Sequence, residues 1–332
     1  MIYTDRIYGK TEITERVILD LINCPSIQRL KGIDQAGYPK PWFPAKPRNR
    51  FDHSMGVFIL LKKYRAPIEE QIAGLIHDIS HLTFSHAIDY VVGQKEQGKR
   101  LDYQDNLFDS FVRKSEIPKI LKKYQFDLDY ILNEKNFPLK ENKLPDICAD
   151  RIDYFLRDTF SFGIIHKKTL KIFLGNLIEI DKKLWAFKDY KIAKSFAERF
   201  MQFDDKYYSG NSTALMFITV AEYMKYSLKK NYVSKKDFYL TDREVLNKIS
   251  KYLKKDTDLK ILFDRMNNKV KYKIYLKKPK DYEYNLYCKS RAVDPLCIHN
   301  NKLKRVSEIE PAFGKKLKEY LKPKEYFIKF DN

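Results

Sequence analysis

The sequence predicts a mainly α protein, with a helical core over residues 1–231 and a smaller, basic α+β subdomain over residues 232–332. Three observations predict it. Apolar residues recur at three- and four-residue steps through most of residues 12–230, the stripe of helices packed on a core. Gly and Pro are sparse, 11 and 13 of 332 residues, which excludes collagen-like, linker-like and low-complexity classes. Beyond about residue 232, short alternating runs at Val270–Tyr275 and Tyr326–Phe330 read as strands around short helices.

Individual elements follow from the same signals. Ile68, Ile72, Leu75, Ile76 and Ile79 form one apolar stripe, so the spacing predicts a helix over Ala66–Ser80. A second helix is predicted over Pro145–Phe160, where Pro145 suits a first turn and Gly163 follows the last. Gln94–Leu101, charged and containing Gly98, and Asn133–Leu144, polar with Pro138, read as loops that interrupt one domain. No repeat of solenoid length is visible.

Lys and Arg number 64 against 44 Asp and Glu, a net charge of +20. The excess is uneven: residues 1–200 hold 34 basic and 27 acidic groups (34 − 27 = +7), and residues 201–332 hold 30 and 17 (30 − 17 = +13). Such a surplus strengthens binding to nucleotides, nucleic acids and acidic membranes without choosing among them. Lys-rich solvated helices such as Lys251–Lys260 are the plainer explanation. Cys24, Cys148, Cys288 and Cys297 form no CxxC pair and follow no secretory signal, which suggests neither a disulfide framework nor a zinc ribbon and fits a reducing, cytoplasmic setting. Apolar runs such as Val57–Leu61 fall far short of the roughly 20 residues a membrane helix needs, so no membrane partner is expected.

Four of the six histidines, His53, His77, His81 and His86, fall within 34 consecutive residues. A single helical histidine is ordinarily a satisfied core or surface group. Burying several titratable groups beside Ile76 and Ile79 costs several kcal/mol unless something compensates, and a bound cation is the simplest compensation. Adjacent helical residues point about 100° apart, so His77 and Asp78 share an ion only if it sits between helices. His53 and a downstream carboxylate are the natural completions. Asp150, Tyr154 and Asp158, at i, i+4 and i+8, form a polar stripe on the second helix, as a lined cavity requires.

The combination of His53, the His77-Asp78 doublet and a distant Asp150 resembles the HD-domain phosphohydrolases, whose H…HD…D quartet holds one divalent metal in a helical core. The resemblance narrows through Pro25-Ser26-Ile27-Gln28-Arg29-Leu30, Gln35-Ala36-Gly37 and Asn49-Arg50-Phe51-Asp52-His53-Ser54. It continues through His77-Asp78-Ile79-Ser80-His81 up to Asp89, Asp150-Arg151-Ile152-Asp153-Tyr154 up to Asp158, and Cys288-Lys289-Ser290-Arg291-Ala292-Val293-Asp294-Pro295. These segments resemble the deoxynucleoside triphosphate triphosphohydrolase branch, which includes the sterile-alpha-motif-and-HD-domain dNTPase of animals, and span nearly the whole chain.

The resemblance implies metal ligation by His53, His77, Asp78 and Asp150. Two imidazoles and two carboxylates suit Fe, Mn, Zn, Ni, Co or Mg, so the ion's identity stays open. A metal on a phosphoryl oxygen withdraws charge and makes in-line attack by water feasible at neutral pH. His86 is the expected general acid, oriented by Asp89 three residues on, and protonation of the leaving 5′ oxygen is worth about 10²–10⁴ in rate. His81, Arg50 and Arg151 are expected on phosphate oxygens, Tyr154 and Asp158 at the sugar, Gln35 at its 3′ hydroxyl, and Tyr207 among the substrate-binding residues. Relatives commonly form dimers or tetramers, which implies a homo-oligomer.

Three departures bear on the substrate. Where dNTPases carry a further His-Glu after the long insert, this chain reads Tyr103-Gln104. Where they carry Tyr-x-His-Lys, it reads Tyr207-Tyr208-Ser209-Gly210, and a bulky aliphatic after Gln35 is replaced by Ala36. Hydrolysis of nucleoside triphosphates to nucleoside and triphosphate is the favoured expectation. An HD-type phosphatase or phosphodiesterase acting on another nucleotide or a nucleic-acid end stays open, as does a non-catalytic nucleotide- or nucleic-acid-binding oligomer using the basic C-terminal region.

Overall fold

The computed structural model describes residues 1–43, 48–92 and 103–331. A hairpin opens the chain, β1 (Ile2–Asp5) antiparallel to β2 (Gly9–Glu12), followed by α1 (Arg16–Asn23) and α2 (Pro25–Arg29). At the centre lies α3 (Arg50–Lys63), whose N-cap Asn49 accepts the Asp52 amide with its side chain. Every residue from His53 to Leu61 is buried, because α3 is flanked on both sides, by α4 (Ile68–Ile76) and by α9 (Ala149–Ser161). Two glycines permit that closeness. A Cβ at Gly56 would meet Asp153 and Arg157 of α9 at 2.0 and 2.1 Å, and one at Gly74 would meet Leu61 of α3 at 2.5 Å.

Both helices predicted around the site are shorter than their apolar patterns. The first ends at Ile76, and residues 77–81 continue as tight turns in which the Ile79 and His81 amides donate to the Ile76 and Asp78 carbonyls. The second begins at Ala149 rather than Pro145. Its leading amides, those of Ala149 and Asp150, donate to the carbonyls of Leu139 and Lys140, so the preceding loop caps the helix that Pro145 was expected to start. The predicted loop at Asn133–Leu144 is irregular apart from one helical turn, Glu134–Asn136. The predicted loop at Gln94–Leu101 lies outside the described residues.

Between α4 and α9 lie α5 (Asp89–Val92), α6 (Tyr103–Lys114), α7 (Ile117–Lys123) and α8 (Leu128–Leu132). After α9 come α10 (Lys167–Asn176), a hairpin of β3 (Leu177–Ile180) and β4 (Leu184–Phe187), α11 (Tyr190–Phe203) and the 19-residue α12 (Asn211–Lys229). Helices α13 (Asp242–Ser250) and α14 (Thr257–Met266) extend the apolar cluster that α12 begins. Strands β5 (Tyr272–Tyr275), β6 (Tyr284–Cys288) and β9 (Lys324–Phe330) form an antiparallel sheet in the order β5-β9-β6. The alternation at Val270–Tyr275 and Tyr326–Phe330 thus marks its outer and middle strands. Strands β7 (Leu296–His299) and β8 (Lys302–Arg305) instead join the earlier hairpin in the order β3-β4-β7-β8, with β4 and β7 parallel. Helices α15 (Val306–Ile309) and α16 (Pro311–Tyr320) precede β9.

The sequence-predicted boundary at residue 231 falls just after α12, yet the two sides share this second sheet. All four cysteines are buried and free. Among the described residues no helix is long and apolar enough to cross a membrane.

Candidate active site

From α3, the turn after α4 and the first turn of α9 come His53, His77 and Asp150, whose donor atoms all lie within 4.8 Å of one another. The two Nε2 atoms are 3.2 Å apart, and Asp150 Oδ1 is 2.8 Å from that of His53 and 3.5 Å from that of His77. Asp78 stands at the edge of this cluster. Its Oδ1 is 3.4 Å from His77 Nε2 and 3.2 Å from His81 Nε2, while its Oδ2 lies 3.8 Å from His53 Nε2 and accepts from Arg50 at 2.5 Å. Of the four expected ligands, three form one group and the fourth is held beside it by Arg50.

The donor set fits a cation. His53 Nδ1 is 2.8 Å from Asp153 Oδ2 and His77 Nδ1 is 2.7 Å from the Gly74 carbonyl, so each ring has an acceptor for its Nδ1 proton. In those tautomers both Nε2 lone pairs and the Asp150 carboxylate converge on one small space, acceptors facing acceptors. The surrounding carboxylates already draw positive charge there. Burial works against a charged His53, but Asp150 and Asp153 prevail and hold its pKa up to about 10. His77 is raised as well, burial being outweighed by Asp78 and Asp150. Asp150 is held well below the usual carboxylate range, since His53 and His77 overcome its desolvation. Two imidazoles and one or two carboxylates make a site of intermediate softness suited to a divalent metal.

A further layer fixes the rings. Asp153 pairs through both oxygens with Arg157, at 2.9 and 2.8 Å, and Arg157 reaches Asp5 of β1 at 3.0 Å. Asp5 in turn accepts the amides of Ile7 and Tyr8 at 2.7 and 3.0 Å. The N-terminal hairpin is thereby tied to His53 through three buried charged side chains. Sequence reasoning missed this relay: Asp153 and Arg157 stand at i, i+4 on α9, and nothing near Asp5 points to residue 157.

The cluster opens on a cavity of about 690 Å³ bordered by the expected substrate residues Gln35, Arg50, His81, Tyr154, Asp158 and Tyr207. Gln35 Oε1 is buried with no hydrogen-bond partner. Asp158 accepts the Tyr208 hydroxyl at 2.8 Å and lies 2.7 Å from Arg48, a buried pair whose facing atoms are too poorly aligned to hydrogen-bond. Burial raises the Asp158 carboxyl despite Arg48. Arg48 was not singled out in the sequence, and its position two residues before Arg50 is the one available signal. Tyr207 packs against Phe162 and Phe203, ring centroids 4.4 and 4.6 Å away, on the aromatic wall.

Two expected phosphate-binding arginines are engaged within the protein. Besides Asp78, Arg50 donates to Ser85 Oγ at 2.8 Å. Arg151 donates to the carbonyls of Asn142 and Asp146, to Cys148 Sγ and to Glu141, holding the turn that precedes α9. His81 rings edge-on to His86 at 5.2 Å, and burial together with Arg50 pushes its pKa down to about 4, leaving it neutral at pH 7. His86, partly exposed at the cavity, has Nδ1 3.5 Å from Asp89 Oδ2, near enough for electrostatic attraction and long for a hydrogen bond. Tyr103 and Gln104 begin α6, and their side chains lie outside the described residues. Ser209 does not line the cavity; its hydroxyl donates to buried Asp204 at 2.9 Å.

Residues 50–158 match the model of the HD domain. The chain is 34% identical to the protein YdhJ of Bacillus subtilis over 249 residues, covering 74% of each. It belongs to the HD-domain phosphohydrolase superfamily. Among other relatives of this HD-domain protein, the metal-dependent phosphohydrolase cns2 of Cordyceps militaris is 38% identical over 160 residues. Mouse deoxynucleoside triphosphate triphosphohydrolase SAMHD1 is 27% identical over 238 residues. The chain spans 45% of the length of cns2 and 36% of that of SAMHD1. The solved structure of a phosphohydrolase from Bacteroides thetaiotaomicron superposes over the full length of both chains with a TM-score of 0.78 at 16% identity, a likeness of fold. These matches support a divalent metal at the histidine–aspartate cluster.

Proposed function

We propose that this HD-domain protein hydrolyses nucleoside triphosphates, deoxynucleotides foremost, to nucleoside and triphosphate. The observation that carries the reading is the convergence of His53, His77 and Asp150 on a cavity that also holds the unpartnered Gln35 Oε1 and the Arg48–Asp158–Tyr208 group. About 690 Å³ is room for a nucleotide. The similarity to a triphosphohydrolase supports the same substrate class.

A divalent ion held by His53, His77, Asp150 and, after a small swing away from Arg50, Asp78 would withdraw charge from a phosphoryl oxygen and make water a competent nucleophile at neutral pH. The remaining steps belong to the side chains. Gln35 and Asp158 orient the sugar, whose hydroxyls supply the partners their buried oxygens lack. His81, neutral and fixed by Asp78, donates or accepts one hydrogen bond without adding charge. Water attacks the α-phosphorus, the bond from phosphorus to the 5′ oxygen breaks, and His86 delivers the proton that oxygen needs.

The test is product analysis of the metal-loaded protein with deoxy-, ribo- and modified nucleotides. Release of intact triphosphate is expected, and stepwise orthophosphate would reject the scheme. Chelation should abolish turnover, with activity returning on addition of one member of a divalent-metal panel. His53→Ala and Asp150→Ala should each lose the metal stoichiometrically while His86→Ala retains it and loses about 10²–10⁴ in kcat. A second reading, hydrolysis of another phosphoester, is favoured by one observation: Arg50 and Arg151 are already spent on Asp78 and on the turn before α9. The same panel distinguishes it.

A further inference from the structure

The cavity holds six cationic side chains, and their pairing is unequal. Arg48 faces Asp158, Arg50 faces Asp78, Lys140 faces Glu134 at 3.1 Å and Arg151 faces Glu141 at 3.2 Å. Each of these charges is answered by a carboxylate. The other two, Lys289 and Arg291, lie just after β6 in the C-terminal part of the chain, and neither has an ion-pair partner among the described residues.

The segment that carries them is tied to the last part of the chain, Cys288 pairing with Lys324 of β9. Buried Ser290, between Lys289 and Arg291, donates its hydroxyl to the Lys322 carbonyl at 3.2 Å. The Arg291 charge also acts on Asp204, a residue with no exposed surface that accepts the Tyr320 hydroxyl at 2.6 Å and the Ser209 hydroxyl at 2.9 Å. The Tyr326 hydroxyl of β9 donates to the Ser209 carbonyl at 2.6 Å. Arg291 lies close enough to Tyr154, one turn of α9 beyond Asp150, for its charge to act on that phenol. Cations without a direct ion-pair partner, in the cavity of a site that handles phosphoryl oxygen, are a ready anion receptor. They also make up the charge that the sequence lacks at Tyr103-Gln104 and Ser209-Gly210.

We propose that Lys289 and Arg291 bind the phosphate groups beyond the one attacked, so that the C-terminal region completes a polyphosphate subsite in the active cavity. This inference rests on the nucleotide reading above, and inorganic triphosphate, the product that reading predicts, is its probe. Calorimetric titration of the holoenzyme, in excess Mg²⁺ so that the probe does not strip the resident ion, compares triphosphate with orthophosphate. Wild type is expected to bind triphosphate at least about tenfold more tightly than orthophosphate, as further charge-assisted hydrogen bonds require. Lys289→Gln and Arg291→Gln should each weaken triphosphate about tenfold and leave orthophosphate within about twofold. Lys254→Gln, on the exposed surface away from the cavity, should change neither.

Lys289 is exposed, so its variant folds even if Arg291→Gln does not, and melting curves check both. Equal affinity of wild type for the two anions, or unweakened triphosphate binding in a folded Lys289→Gln, would overturn the proposal. Loss of triphosphate binding in the variants without nucleotide hydrolysis by wild type would leave the subsite standing and remove the proposed reaction. Hydrolysis with unaffected binding would do the reverse.

Discussion

Gly56 stands almost one turn after His53 on α3, where any Cβ would strike the Asp153 and Arg157 side chains. Those groups cannot step aside, since each is hydrogen-bonded on its other side. Gly56→Ala should therefore destabilise the protein by about 1–3 kcal/mol and weaken metal binding by displacing Asp153 from His53, checked by melting and metal titration. Arg157→Leu should cost about 3–5 kcal/mol, because it removes the buried cation that Asp153 and Asp5 share and leaves Asp5 buried without one. A pH effect belongs to another pair. Burial pushes Asp34 up to about 7 and Asp242 up to about 6, opposed by Arg48 for Asp34 and by the backbone amides of Asp34 and Phe84 for Asp242. The native state then holds protons that the unfolded chain has released, so this pair's contribution falls as pH rises from about 4 to about 7. Asp34→Asn should flatten that part of the difference in melting temperature between variant and wild type. At this scale the sequence disclosed the clustered histidines, because four of six in one short stretch is conspicuous. It hid Asp5, Arg157 and Arg48, whose importance comes only from partners far away in the chain.

Long periodic helices were readable as elements, and their ends were not. The apolar stripe of α4 continues through Ile79, yet the helix stops at Ile76 because the next residues turn to present His77 and Asp78. Periodicity reports which face is buried and carries no mark of where hydrogen bonding changes. For α9 the deciding partners are the Leu139 and Lys140 carbonyls, supplied by the loop and invisible in the helix's own residues. The four-residue hairpin strands β1 to β4 escaped notice because alternation over so few positions is indistinguishable from chance. One element-scale test concerns the start of α3. Asn49→Ala removes the side-chain acceptor for the Asp52 amide and should cost about 1 kcal/mol. Because Arg50 and His53 occupy that first turn, kcat should fall more than the loss of stability explains, which paired melting and turnover measurements would check.

Across the whole molecule, metal candidates come from the first half of the chain, while Lys289 and Arg291 come from the last fifth. The shared sheet explains how such distant parts keep one register: β7, set by β8 and α15, pairs in parallel with β4. A fragment comprising residues 1–231 should accordingly aggregate or fail to show cooperative unfolding, and recover when residues 232–332 are supplied in trans, as soluble yield and calorimetry would report. The change of texture near residue 232 lies in the composition alone and says nothing about which strands pair across it.

The parallel pairing of β4 with β7 also imposes an order on biosynthesis. At about 5–20 residues per second, ribosomes need on the order of 5–20 s to pass from β4 to β7. Throughout that interval the emerging polypeptide carries an unsatisfied strand edge, the kind of surface that recruits chaperones and seeds misassembly on polysomes. Synonymous codon changes that lengthen the pause should lower yield without altering the mature protein.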